Sequence, residues 1–148
     1  NISDTVWSYF YDEEIIFSRV NFPHMQSPNN TPDNCGSIQV EIYFSDKYKP
    51  LNKQPEEFIE RTIEDLKKCV LVKDSDKILY QEAKFIEFAN VIFDLDTKSN
   101  LKIVHDYLDS IDIKYCGRYG EWAYIWTDQS FRSGMNAAKK ILREIKKK

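Results

Sequence analysis

Apolar and polar residues alternate along this chain with two different periods, and the two periods separate strands from helices. From Val6 to Phe10 and from Ile15 to Phe22 the residues are aromatic or β-branched, with Asp12, Glu13 and Glu14 between the runs. That pattern predicts a β-hairpin. The stretch from Pro23 to Gly36 holds Pro23, Pro28 and Pro32 among Asn29, Asn30, Asp33 and Asn34, residues that interrupt a ladder and favour turns, so a long loop is expected. Ile38, Val40, Ile42 and Phe44 then alternate with Gln39, Glu41 and Tyr43, the period of a third strand with one face on a core.

Helical spacing follows. Pro55, Glu56 and Glu57 suit a helix start, because proline tolerates the first turn and carboxylates favour the positive end of the dipole. Phe58, Ile59, Ile63, Leu66 and Val70 continue at three- and four-residue intervals. Ile78 to Phe88 reads as a further strand with a polar face at Glu82, Lys84 and Glu87. A second helix is expected from Ser99 or Asn100, with Leu101, Val104, Leu108 and Ile111 on one stripe. Ile113 to Cys116 reads as a short strand, and a last helix from about Ser130 carries Phe131, Met135, Ala138, Leu142 and Ile145 as a core stripe.

The expected class is α+β: a mainly antiparallel sheet with about three helices. The front strands pair antiparallel because hairpin-length turns join them. The strand near Ile113 lies between helices and suits a parallel sheet supplied elsewhere. The chain opens at Asn1 without a methionine and is at once in strand-like sequence, the expectation being an excised piece of a longer polypeptide and the alternative a processed intact protein.

Composition narrows the function classes. The chain has 148 residues, 42% apolar and 30% charged, enough for one core of ordinary size. Its net charge of −3 offers no basic field for nucleic acid. No run approaches the roughly 18 uncharged apolar residues of a membrane span, and no secretory leader is visible, so a soluble, cytoplasmic protein is expected. Cys35, Cys69 and Cys116 are odd in number and far apart. They read as free thiols.

Candidate chemistry is sparse. Asp94 and Asp96 form a D-x-D pair that could hold a divalent ion beside a nucleotide-sugar diphosphate, but with Thr97 and Ser99 just before a helix they read as capping residues. His24 and His105 lack ligand-spaced partners and read as surface or half-buried side chains. The basic residues of the last helix, Arg132, Lys139, Lys140, Arg143, Lys146, Lys147 and Lys148, read as a solvated face opposing the negative end of the dipole. The strongest constellation is Cys116-Gly117-Arg118-Tyr119-Gly120-Glu121-Trp122, followed by Tyr124, Asp128, Gln129, Ser130 and Gly134. A glycine-bearing turn between an apolar stretch and a helix start is an arrangement in which backbone N–H groups meet a phosphate or ring carbonyl, and one that also occurs without a ligand.

Gly117-Arg118-Tyr119-Gly120 with Trp122, Tyr124, Gln129, Ser130 and Gly134 resembles the C-terminal FAD-binding signature of the UDP-galactopyranose mutase and amine-oxidase-like flavoproteins. Upstream, Tyr9-Phe10 to Phe17-Ser18-Arg19-Val20 and Ser27-Pro28-Asn29-Asn30-Thr31-Pro32 resemble the mutase segment in which a strand ends in an arginine before a Ser-Pro-x-Asn-x-Pro loop. The resemblance implies a fragment of a larger two-domain flavoprotein whose N-terminal Rossmann domain is missing, since this chain has no G-x-G-x-x-G. It implies a substrate region over residues 1–111 and a FAD-contacting strand and helix over 112–148. Gly117, Arg118, Gly120, Gln129 and Ser130 would line the flavin, and Arg19, Asn30 and Tyr124 would face the substrate, a nucleotide-sugar or related small molecule. No residue of this chain is implied as catalytic, because the chemistry belongs to the flavin. Phe88 stands where the eukaryotic mutases carry a tyrosine and Asp128 where they carry an asparagine, which implies a changed substrate. The implied parent is a bacterial FAD-dependent oxidoreductase or mutase-like enzyme of surface-polysaccharide (LPS-type) biosynthesis, the fragment alone being inactive. The alternative is a free-standing α+β protein-interaction module.

Overall fold

The computed structural model describes residues 2–146, and the chain divides between Phe85 and Ile86 into two compact units. The first is built on a three-stranded antiparallel sheet, β1 (Trp7–Tyr9), β2 (Arg19–Asn21) and β3 (Gln39–Glu41), in the order β1-β2-β3. The expected hairpin and third strand are therefore present, and the class is α+β. Val20 sits opposite Ser8 and Val40, whereas Arg19 sits between Tyr9 and Glu41. Successive side chains of a strand point to opposite faces. Hence Val20 is fully buried while Arg19 and Asn21 stay half-exposed.

The proline-rich loop is less irregular than its composition suggests. Pro23 begins a single helical turn, α1 (Pro23–Gln26), and Pro28 a 3₁₀ turn over Pro28–Asn30, because a proline ring is pre-set for a first helical position. A second 3₁₀ turn over Pro55–Phe58 leads into α2 (Ile59–Lys68), where the Gln54 N–H donates to the Glu57 carboxylate at 2.8 Å. The core of this unit gathers Phe17, Val20 and Phe22 from the sheet region with Leu66 from α2. The Phe10 ring meets Phe17 edge-on, with centroids 5.1 Å apart. Each such side chain contributes about 1.5–3 kcal/mol when removed from water.

One buried residue of α2 is charged. Asp65 has no exposed surface. Its Oδ2 accepts from the Ile16 N–H at 2.9 Å and from Arg61 Nε at 3.0 Å, and its Oδ1 accepts from Lys68 Nζ at 2.8 Å. Arg61 also donates to the Glu14 carbonyl. The hairpin connection and the helix are thus tied through one carboxylate. Burial alone would push the Asp65 carboxyl up, but the bonds from Lys68, Ile16 and Arg61 outweigh it and hold the group below the usual carboxylate range.

The second unit contains α3 (Thr97–Ser110), α4 (Gly117–Gly120) and α5 (Thr127–Ile145). Three sequence expectations change here and at the boundary before it. Ile78 to Phe88 is not a strand: it joins no ladder, and Leu79, Tyr80 and Ile86 are exposed. Ile113 to Cys116 is extended but likewise unpaired. A strand needs a neighbour to take its N–H and C=O groups, and neither segment is paired in the three-stranded sheet. The stripe Phe131, Met135, Leu142 and Ile145 is exposed rather than core, Phe131 to 70%. The Ser133 hydroxyl of α5 takes the Gly117 N–H of α4, and Ser130, Gly134, Ala137 and Glu144 are half-buried.

Before α3, Asp94 braces the turn that leads into the helix rather than capping it. Its Oδ1 accepts from the Asp96 N–H and from the Thr97 hydroxyl at 2.6 Å, while the Asp96 side chain makes no cap bond. The described residues contain no helix long and apolar enough to cross a membrane.

Asp65→Asn should cost about 3 kcal/mol in urea unfolding, the scale for removing one member of a buried charged network. The folded-state pKa lies below the unfolded one, so the stabilisation is full above about pH 4 and is lost as pH falls through the folded value. The variant should lack that part of the acid dependence. Parallel acid unfolding of both proteins would count against the assignment.

Candidate functional site

The Gly117–Gly120 turn owes its shape to a change of backbone hand. Cys116 is extended, and Gly117 follows with φ +76°, a region that favours glycine. The chain can then close α4, with the Glu121 N–H on the Gly117 carbonyl at 2.9 Å and the Ala123 N–H on the Arg118 carbonyl at 3.0 Å. The Gly117 N–H donates to Ser133 Oγ of α5 at 2.9 Å, and that hydroxyl donates to the Glu121 carboxylate. On the other side, His105 of α3 has its Nε2 3.0 Å from the Gly120 carbonyl and its ring stacked on Tyr115 at 3.9 Å. A carbonyl only accepts, so Nε2 carries the proton.

Arg118 emerges from this turn with two neutral neighbours. Its Nη2 donates to Asn90 Oδ1 at 2.5 Å, and its guanidinium carbon lies 4.8 Å from the Tyr124 ring centroid. The next residue, Tyr119, donates its hydroxyl to the Phe88 carbonyl. Arg118 makes no ion pair among the described residues. Its Nε is buried and has no hydrogen-bond partner, an uncommon condition for a strong donor.

Gln129 and Ser130 sit in the first turn of α5, which starts at Thr127, earlier than the spacing suggested, because Gln129 closes its end: Gln129 Oε1 accepts from the Trp126 N–H at 2.8 Å. The Ser130 N–H donates to the Trp126 carbonyl at 2.8 Å. Of the residues singled out by sequence, the structure thus brings Gly117, Arg118, Gly120 and Tyr124 together. Arg19 and Asn30 belong to the first unit. Arg19 forms an ion pair with Glu41, its partner across the ladder, and Asn30 Nδ2 donates to the Pro23 carbonyl at 2.8 Å. The Tyr43 hydroxyl also donates to Glu41. Burial, reinforced by that bond to a carboxylate, pushes the Tyr43 phenol up to about 12, and the bond to Glu41 likewise raises the Arg19 value. The sequence reading missed Asn90, Ser133, Glu121 and the role of His105. No motif marks these contacts, since each spans twelve positions or more.

The fold has a counterpart among solved structures. The chain superposes on a reduced UDP-galactopyranose mutase with a TM-score of 0.80 and 27% identity, over 93% of its own length. It spans 30% of that mutase chain. The recognition made from the Gly-Arg-Tyr-Gly and Ser-Pro-Asn-Asn residues is therefore matched by the tertiary structure: the chain is similar to a fragment of UDP-galactopyranose mutase. No protein-family model matches the sequence, and no curated protein does.

Two alanine substitutions separate turn from helix. A methyl group on Gly117 would meet nothing within 4 Å but would be forced into the left-handed region, so Gly117→Ala should cost about 1 kcal/mol. Gly134 is in the interior of α5 with equally open space, and Gly134→Ala should stabilise by about 1 kcal/mol. Urea midpoints moving in the same direction would contradict the assigned backbone roles.

Proposed function

We propose that this chain is the C-terminal portion of a FAD-dependent enzyme resembling UDP-galactopyranose mutase and the amine-oxidase-like flavoproteins. The observation that carries the reading is the Arg118 turn in a fold that matches the mutase structure. The guanidinium of Arg118, held by a neutral amide and an aromatic ring and not neutralised, fits an electron-rich acceptor such as a flavin edge. When bound, FAD would supply the redox chemistry. Gly117, Arg118 and Gly120 would border it, with Gln129 and Ser130 at the start of α5, and residues 112–148 would be the flavin-contacting part. Residues 1–111 would belong to the substrate region, with Arg19, Asn30 and Tyr124 toward a nucleotide-sugar diphosphate. The exposed stripe of α5 suits a helix that closes over the remainder of a longer enzyme, including a Rossmann domain for the ADP half of FAD. The setting we favour is cytoplasmic assembly of a bacterial surface polysaccharide.

On this reading the isolated chain is catalytically inert and colourless, because half of a cofactor site cannot supply tight binding. Micromolar FAD should leave its melting temperature unchanged. Millimolar FAD should shift backbone amide resonances of Gly117, Arg118 and Gly120 in fast exchange and leave those of α2 in place. Stoichiometric yellow protein would reject the fragment reading, and unshifted turn resonances at millimolar FAD would reject the flavin assignment.

Arg19 supplies a separate check on the substrate class. Arg19→Lys keeps a cation for Glu41 but loses the planar fork that suits a phosphate. Millimolar UDP should bind the variant at least tenfold more weakly, about 1.4 kcal/mol or more, with stability nearly unchanged. Equal UDP binding would remove Arg19 from the site.

A further inference from the structure

Arg118 is held on several sides without being neutralised, and the residue that aims it is Asn90. Asn90 Oδ1 accepts from Arg118 Nη2 at 2.5 Å and from the Val91 N–H at 3.0 Å. The second bond fixes the amide against its own backbone. Val91 is buried, at 4% exposure, and anchors the segment. The neighbouring bond from the Tyr119 hydroxyl to the Phe88 carbonyl ties the same segment to the same turn. The guanidinium is therefore clamped between a neutral amide and the Tyr124 ring while Nε points to no partner.

A carboxylate at position 90 would hold the same geometry, but it would also cancel the charge. An arginine–carboxylate pair is a charge-assisted contact, stronger than one to an amide, and it would compete directly with any incoming anion or electron-rich ring. We propose that Asn90 is a positioning residue for Arg118, and that its neutrality keeps the guanidinium charge available to an anionic or electron-rich group of a ligand. The ligand side of this inference rests on the flavin reading. The positioning side does not.

The experiment uses the complete 148-residue chain and reads the Arg118 side-chain nitrogens by NMR, then titrates FAD at millimolar concentration. In the wild type, rotation about Nε–Cζ is restrained by Asn90 and the Nη signals are resolved. Asn90→Ala should average them while leaving the melting temperature nearly unchanged. Asn90→Asp should keep them resolved yet weaken the FAD-induced shifts at least tenfold. Nη signals as resolved in Asn90→Ala as in the wild type would overturn the positioning role. FAD shifts of wild-type size in Asn90→Asp would overturn the need for neutrality. If wild-type protein shows no FAD shifts at all, the flavin reading and the ligand half of the proposal fall together, and the Nη signals of the alanine variant still decide the positioning half.

Discussion

The buried carboxylate of Asp65 is the constraint on which the first unit depends. An isolated ion in that position would cost several kcal/mol in lost hydration, so the fold must deliver donors to both oxygens. It does so by bringing together Lys68 and Arg61, one helical turn on either side, and a backbone N–H from Ile16 forty-nine positions earlier. The two cations could satisfy the carboxylate in an isolated helix, but the Ile16 bond forms only when the hairpin connection docks. Leu66, the next residue along, enters the apolar cluster with Phe17, Val20 and Phe22. Polar and apolar docking are therefore coupled through adjacent positions of α2.

Arg118 in the second unit is treated in the opposite way. Asp65 is surrounded by opposite charge, whereas Arg118 is given an amide oxygen, an aromatic face and a backbone turn. The first arrangement cancels a charge and fixes a structure; the second fixes a direction and leaves the charge in place. The charge is retained beside the positive-φ Gly117, and the proposed flavin contact rests on that arrangement.

The apolar surface follows the same division. Only five apolar side chains are buried among the described residues, four of them in the first unit's cluster. Phe131, Leu142 and Ile145 on α5, and Leu79, Tyr80 and Ile86 before α3, remain in water. They accord with a chain that corresponds to less than a third of the mutase it resembles.

Local pattern by itself determined the hairpin, the third strand, α2, α3 and α5, because each rests on a period of two or 3.6 that a single segment carries. It also marked Gly117 as the place where the backbone must turn, since few other residues accept that φ. The Arg19–Glu41 pair follows from the register that sets the two residues opposite one another. Tertiary structure alone decided the rest. Ile78 to Phe88 has a strand's composition but no neighbour to complete its ladder, and the α5 stripe has a core's composition but a packed face turned elsewhere. Asp65 reads as an ordinary polar helix position until Ile16 arrives, and Asn90 reads as a loop residue until Arg118 reaches it. Periodicity reports which face of an element is apolar, and it cannot report what that face or a lone polar group will meet, because that partner is set by docking between segments distant in sequence.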